Sequence, residues 1–237
     1  MLEYVAIIKD RLNKVMNQLA GTGLWPSQSK LRLSLPIKDG KGTYIFNLRE
    51  GGDGVSTFSL SRNDVFIPNF IGVLIEFVNK TTGVKKLYSF APVNDGENPS
   101  VFPVGFLTDE IEKMYAGNLQ WLLDNQVMMP AYPMESFHKV PQTQGAFVLD
   151  SNDAAVQEGI QVERDIYQML NLVLPKYVIA GTHDHKISVH FDAAGNTFEC
   201  TDGWDANLVL MLDGMLVQGG CEYKNGVNPF EDAVGQW

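Results

Sequence analysis

The chain has 237 residues, of which 45% are apolar and 19% are charged, and its formal net charge is −10. These values are typical of a globular protein that can bury the core of one large β domain or of two small ones. The acidic balance argues against specific nucleic-acid binding, which needs a basic patch larger than the doublet Lys85-Lys86.

Residues 2–20 are predicted to form an amphipathic helix. Apolar residues recur there at spacings of three and four and so share one stripe: Leu2, Val5, Ile8, Leu12, Val15, Met16 and Leu19. Gly21 is typical of the position after a last helical turn. We expect the stripe to lie either on the chain's own β domain or on a neighbouring chain. No secretory leader is expected, because charged residues begin at Glu3.

From Leu31 onward the period of the apolar pattern changes from 3.6 to 2, which indicates strands with one buried face. Three such runs, in 31–35, 44–48 and 58–60, end in glycine, asparagine or aspartate turns. Short strands separated by such turns predict antiparallel sheets, because βαβ units need a helix between strands.

Residues 65–68 and 70–78 are apolar at nearly every position, which predicts central strands beneath a covering layer. The turn 79–83 leads into 84–90, and these segments are expected to form a hairpin. The run 70–78 contains Glu76 and is far shorter than the roughly 20 residues that span a bilayer, so no membrane insertion is expected.

A short internal helix is predicted to begin at Thr108 and to end at Gly117. The alternating residues 119–123 and the return segment 127–132 then predict a hairpin around Asp124-Asn125. Further along, 166–174 is interpreted as a strand rather than a helix, because the setting is β and Pro175 follows. Residues 208–212 and 215–217 are predicted to form a second hairpin that turns at Asp213-Gly214.

Three of the four histidines lie close together, at His183, His185 and His190, and are the natural candidates for a metal site. In a strand, residues two apart share a face and an odd separation changes the face. We therefore expect His183 and His185 to face inward with 187, 189 and 191, and His190 to face outward. A catalytic zinc usually takes three protein ligands, so no metal site is assigned.

Other catalytic motifs are not found. The sequence contains no G-x-S-x-G element, no G-x-G-x-x-G loop and no Walker A loop. The acidic residues between 199 and 213 are interpreted as turn formers. Cys200 and Cys221 have neither a metal-ligand spacing nor a disulfide framework and are interpreted as small apolar residues. No cofactor and no small-molecule substrate are expected.

The pattern as a whole predicts a mainly β protein, an antiparallel β-sandwich of the jelly-roll type with an N-terminal amphipathic helix and one short internal helix. We divide the chain into a helical arm (1–21), the sandwich domain (22–220) and an extended C-terminal arm (221–237). Terminal arms of this kind often hold copies of a protein together.

Three segments resemble jelly-roll coat proteins of icosahedral bacteriophages. They are MYAGNLQWLLDNQVMMPAYP (114–133), FHKVPQTQG (137–145) and LVLPKYVIAGTHDHKISVHFD (172–192). The resemblance covers the middle and C-terminal two-thirds of the chain. It implies a structural virion protein without catalytic activity, made in the host cytoplasm and assembled with copies of itself and with other virion proteins. The expected assembly residues are Leu2, Val5, Ile8, Leu12, Val15, Phe230 and Trp237.

Two alternatives stay open from the sequence. The first is a carbohydrate-binding or receptor-binding β-sandwich that uses the tryptophans Trp25, Trp121, Trp204 or Trp237. The second is a cupin-like metalloenzyme, because His183-Asp184-His185 is similar to the H-x-H pair of cupins. The glutamate that follows this pair in cupins is absent here, since Val189 and His190 stand at the corresponding positions.

Overall fold

The structure is a computed structural model that describes residues 2–48, 60–89, 108–138, 170–173, 177–194, 203–222 and 229–230. It has two helices, α1 (Leu2–Gln18) and α2 (Thr108–Tyr115), and a 3-10 turn at Met134–Phe137. The strands are β1 (Pro26–Pro36), β2 (Thr43–Asn47), β3 (Val65–Asn79), β4 (Lys85–Tyr88), β5 (Asn118–Leu123), β6 (Gln126–Pro133), β7 (Asn171–Leu172), β8 (Ile179–Ala180), β9 (His185–His190) and β10 (Trp204–Val217).

The strands form two antiparallel sheets that pack face to face as a β-sandwich, so the expected mainly β class is confirmed. In the large sheet, β10 lies between β1 and β3. The other edge of β3 pairs in turn with β8, β7 and β4. The small sheet has the order β2-β9-β5-β6.

The main core lies between the sheets and follows the period-2 pattern of the sequence. In β2, Tyr44 and Phe46 are buried while Thr43 and Ile45 are exposed, as the alternation predicts. The inward residues of both sheets form one cluster, which α2 also enters through Ile111, Met114 and Tyr115. Tyr115 donates a hydrogen bond to the Val73 carbonyl over 3.2 Å, and burial raises the pKa of its hydroxyl.

The strand β3 is buried on both faces from Val65 to Phe77, which confirms the prediction of a covering layer. Its inward residues face the small sheet. Its outward residues join two further apolar clusters, one around Val65 and Ile67 and one around Phe70 and Leu74. Residues of α1 belong to both clusters, so the helix forms a third layer on the large sheet.

Two predicted hairpins are confirmed. The strands β3 and β4 pair antiparallel after the turn 79–83. The strands β5 and β6 pair around Asp124 and Asn125, whose φ angles are 45° and 69°. Two successive residues with positive φ are the mark of a two-residue hairpin turn, and Asp and Asn tolerate this conformation better than other non-glycine residues.

The predicted hairpin at Asp213-Gly214 is wrong. Residues 204–217 form the single strand β10, which pairs along its whole length with β1 and with β3. At Asp213/Gly214 the register with β3 shifts, as in a β-bulge. A Cβ at Gly214 would overlap the Ile67 carbonyl, so this glycine allows a close approach of two strands rather than a turn.

The segment 166–174 is described at residues 170–173, where Asn171–Leu172 pair with β3 as the short strand β7. This agrees with the strand interpretation for the described part. Residues 91–105, 154–164 and 231–237 lie outside the described residues.

Candidate assembly surface

One side of α1 is buried on the large sheet. Val15 is fully buried and Leu19 is 3% exposed, and both pack with residues of β3, β8 and β10. Further towards the N terminus, Ile8 packs against the cluster of Phe70 and Leu74. The helix therefore spans both outer clusters of the sheet.

Arg11 fixes the rotation of α1 on this sheet. Its side chain is 4% exposed, and its guanidinium donates to the carbonyl oxygens of Pro68, Asn69 and Val173 and, over 3.3 Å, to Oδ1 of Asn69. Burial lowers the pKa of Arg11, because it disfavours the charged form. A guanidinium in this place ties the helix to β3 and to the end of β7 through donors of fixed geometry.

The buried side of α1 does not coincide with its apolar stripe. At about 100° per residue, the direction of Val5 and Leu12 lies about 90° round the helix from the direction of Arg11 and Val15. Val5 is 58% exposed and Leu12 is 39% exposed, whereas the charged Arg11 is buried. One edge of the apolar stripe is thus left on the surface. We call Val5 and Leu12, seven residues apart on the same side, the α1 flank.

The predicted assembly residues fall into three groups. Val5 and Leu12 lie on the surface, and Ile8 is partly buried. Val15 and Phe230 belong to the same interior cluster between α1 and the large sheet, so their assignment to an assembly surface is corrected: the fold already uses them. The side chain of Leu2 and all of Trp237 lie outside the described residues.

The tryptophans also differ in their surroundings. Trp121 is 1% exposed and stacks on Tyr177 with ring centroids 4.9 Å apart, so it belongs to the core. Trp204 is partly buried and packs against the same core. Trp25, directly before β1, is 72% exposed and is the tryptophan that the fold leaves on the surface of the described chain. Trp237 is not among the described residues.

His183 does not lie in a strand, so its predicted place on the inward face of β9 is wrong. It lies in the bend before the strand, where its Nδ1 is 2.5 Å from Oδ2 of Asp124 in the β5–β6 turn. The other carboxylate oxygen of Asp124 accepts from the Asp184 N–H over 2.8 Å. The backbone hydrogen bond and then the histidine hold the pKa of Asp124 below its usual value. The pair joins two loops at one end of the small sheet.

His185 and His190 lie on opposite faces of β9, as strand parity predicts. His185 is 2% exposed, and Trp121 Nε1 donates to its Nδ1 over 3.4 Å inside the core. On the outer face, the His190 ring lies 3.2 Å from Thr43 Oγ1 and 2.8 Å from Ser188 Oγ. The three histidines thus occupy three separate environments. Among the residues that the structure describes, no group of three His, Cys, Asp or Glu side chains is placed to hold a metal ion.

Sequence reasoning missed two buried charged side chains. The sequence patterns give no partner for Arg11, in the predicted helix, or for Glu76, in the apolar run 70–78. Glu76 is 1% exposed on β3 and accepts from Arg32 of β1 and from Asn207 of β10, with Lys85 Nζ 3.8 Å away. For Glu76 the available signal was a charge inside an apolar strand pattern, because a charge buried there must find partners. Arg11 lies outside the apolar stripe of its helix, and no such signal marks it.

Cys221 is a free, half-buried thiol, and its Sγ donates to the Asp64 carbonyl over 3.2 Å. Cys200 lies outside the described ranges. Within those ranges, neither helix is long and apolar enough to cross a membrane. Searches against protein-family models, curated proteins and solved structures found no match to this chain.

Proposed function

We propose that this chain is a structural virion protein, a coat component that assembles with copies of itself and with other virion proteins and has no catalytic activity. On this proposal it is made in the host cytoplasm and resides in the virion. The sandwich is a jelly roll in this proposal, and α1 contributes a contact between copies.

The order of the strand pairs supports a jelly roll. The pairs are nested: β1 pairs with β10, β2 with β9, β3 with β7 and β8, and β5 with β6. Such nesting is what a long antiparallel ribbon produces when it folds over into two four-stranded sheets. In this reading β7 and β8 together take the place of one strand, and β4 is an addition at the edge of β3.

The fold alone does not choose the function, because jelly rolls also occur in lectins and cupins. The observation that favours assembly is the α1 flank. Val5 and Leu12 are exposed on a helix whose other side is fixed to the sheet by Arg11. A helix that had to cover only its own sheet would not need apolar residues in this direction.

The flank by itself provides a weak contact. Full burial of an aliphatic side chain contributes about 1.5–3 kcal/mol, and Val5 and Leu12 are already partly covered. Association also costs several kcal/mol of rigid-body freedom. We therefore expect weak pairwise contacts that become strong when many copies close into one assembly.

The test compares the unmodified chain with Leu12→Asp and Val5→Asp by light scattering at increasing concentration, with electron microscopy of the concentrated sample. We expect concentration-dependent assembly of the unmodified chain and at least about tenfold weaker association of both variants, because a carboxylate is costly to bury. The matched control is Asn13→Asp, which places the same charge on an exposed position about 100° away on the same helix.

A chain that stays monomeric at every concentration would contradict the proposal. If Asn13→Asp and Leu12→Asp weakened association equally, the α1 flank would not be a contact between copies. Deletion of residues 1–20 is not a clean test, because it would expose the apolar cluster that Val15 and Leu19 cover.

Carbohydrate binding is a second candidate, favoured by the exposed ring of Trp25. Aromatic faces at a protein surface are suited to stacking on apolar faces of sugars or partners. Glycan-array binding that is lost in Trp25→Ala and retained in Trp204→Phe would support it. Identical array signals for the unmodified chain and Trp25→Ala would exclude this residue from such a site.

A further inference from the structure

The outer face of the small sheet carries side chains that alternate with the core residues of its four strands. Ten of them, placed there by strand register, define what we call the small-sheet face: Thr43, Ile45, Asn47, Asn118, Gln120, Leu122, Val127, Lys186, Ser188 and His190. Unlike the large sheet, this sheet has no helix on its outer face in the part of the chain that the structure describes.

Hydrogen bonds link the centre of this face to one of its ends. Ser188 lies opposite Ile45 on one neighbouring strand and opposite Gln120 on the other. The His190 ring lies between Ser188 Oγ and Thr43 Oγ1, at 2.8 Å and 3.2 Å. Side chains tied in this way lose little rotamer freedom when a partner covers them, which lowers the entropic cost of binding.

The small-sheet face has no carboxylate, although the chain carries 28 acidic residues and a net charge of −10. Lys186 is the single charged member of the ten, and its ammonium lies 2.7 Å from Asp184 at the margin. Two copies of so acidic a chain repel each other, and the repulsion is smallest where the contacting surfaces carry no net charge. Depletion of charge is also typical of the centre of protein interfaces.

We propose that the small-sheet face binds the same face of a second copy of this chain, as a two-fold contact between sheets. The proposal rests on the proposed function, since it names a second surface of the same assembly. Two antiparallel sheets pack well face to face at about 10 Å. The contact would cover Ile45 and Val127, which are 55% and 52% exposed.

The size of the face fits a weak contact. Four strands about 4.8 Å apart and five residues about 3.4 Å apart give an area of roughly 300 Å². A stable pairwise complex usually buries about 800 Å² on each partner. The small-sheet face alone therefore supports a transient dimer, and it acts together with the α1 flank in a larger assembly.

The test introduces carboxylates into the face. In Ile45→Asp and, separately, in Gln120→Glu, a two-fold contact brings two copies of the new charge close together. We expect at least about tenfold weaker association in sedimentation velocity, because like charges opposed in an interface are strongly unfavourable. The matched control is Val84→Asp in the β3–β4 turn, where the residue is 51% exposed, and it should associate like the unmodified chain.

The outcomes separate this inference from the proposed function. Circular dichroism and thermal melting check that each variant is folded. Gln120→Glu preserves side-chain volume and so serves as the test if Ile45→Asp disturbs the fold.

Unchanged association in both variants would overturn the inference, as would equal weakening of association by Val84→Asp. If Leu12→Asp still weakens assembly in that case, the proposed function stands. A strict monomer overturns both. Glycan binding that Ile45→Asp abolishes, with association unchanged, would assign the face to a different occupant.

Discussion

A single buried arginine decides which side of α1 faces the sheet. Arg11 donates to three carbonyl oxygens and one amide oxygen of β3 and the β7 segment. Its removal would take a hydrogen bond from each of these buried acceptors, although the Asn69 carbonyl would keep the one from the Val173 N–H, and such losses are costly in the interior. The residue therefore contributes specificity as well as stability to the docking of the helix.

We expect Arg11→Ala to lower the free energy of unfolding by about 2–4 kcal/mol, because several buried acceptors lose a hydrogen bond. Urea denaturation followed by circular dichroism measures this change. The control Lys14→Ala removes a side chain on the exposed side of the same helix, paired with Asp10, and should change stability by less than about 0.5 kcal/mol. Equal effects of the two substitutions would contradict the assigned role of Arg11.

Asp124 ties the β5–β6 turn to the bend before β9. Its pKa is lowered in the folded state, first by the Asp184 N–H and then by His183. A carboxyl group with a lowered folded-state pKa stabilises the fold above its unfolded value of about 4. This contribution is lost as the pH falls through the folded-state pKa.

We therefore expect Asp124→Asn to be less stable than the unmodified chain at pH 7 by about 0.5–1 kcal/mol, a small value because the pair is half exposed. The difference should shrink as the pH falls below about 4, first because the carboxyl of the unfolded chain becomes protonated and then, at lower pH, because the folded-state carboxyl does. Thermal melting from pH 3 to pH 7 tests this. Asp205→Asn, which removes an exposed carboxylate paired with Lys80, is the control. A difference that persists unchanged at pH 3 would refute the linkage.

At the scale of the element, β10 contains an Asp-Gly pair that does not form a hairpin turn. Asp-Gly between apolar runs is a strong hairpin signal, because glycine accepts positive φ. Here Gly214 serves a different need, since the Ile67 carbonyl occupies the space of its Cβ and β10 continues as one strand of 14 residues. The strand holds the centre of the large sheet between β1 and β3.

Gly214→Ala should destabilise the chain by about 1–3 kcal/mol, because β10 or β3 must move to admit the methyl group. The measurement is the midpoint of thermal unfolding. Gly83→Ala is a useful comparison: its φ of 69° gives a conformational cost, but no atom lies within 4 Å of the added Cβ. Gly83→Ala should therefore lower the stability less than Gly214→Ala does. A larger loss for Gly83→Ala would contradict the close approach at Gly214.

The two sides of α1 give a second comparison between neighbouring residues. Val15 is buried in the chain's own interior and Leu12 is exposed on the flank. Val15→Ala should lower the free energy of unfolding by about 2 kcal/mol, while Leu12→Asp should lower it by less, about 1 kcal/mol, because Leu12 is only partly covered, and should weaken association. Denaturation and light scattering on the same samples measure both quantities. A Leu12→Asp chain that unfolds as readily as Val15→Ala would show that the flank belongs to the interior.

At the scale of the whole molecule, the net charge of −10 opposes contact between copies. Association through the α1 flank and the small-sheet face should therefore strengthen as salt rises from about 0.05 to 0.5 M, because the screening length falls from above 10 Å to below 5 Å. Sedimentation at several salt concentrations measures this. A decrease of association with salt would show that ion pairs, not apolar contacts, hold the copies together.

The sequence by itself determined the elements whose cause is local. Period 2 in 31–35 and 44–48, the apolar run of β3 and the Asp124-Asn125 turn each depend on residues close together in the chain, and the structure confirms them. The covering layer over β3 was also predictable, because a strand that is apolar on both faces needs one.

Only the tertiary structure decided the contacts between residues that are distant in the sequence. Gly214 meets a carbonyl at residue 67, Arg11 finds acceptors at residues 69 and 173, and His183 finds Asp124. In each case the partner lies more than 50 residues away, and no local pattern specifies it. The same reason explains the exposed α1 flank: the apolar stripe was visible in the sequence, but the rotation that left Val5 and Leu12 outside is set by contacts between distant residues.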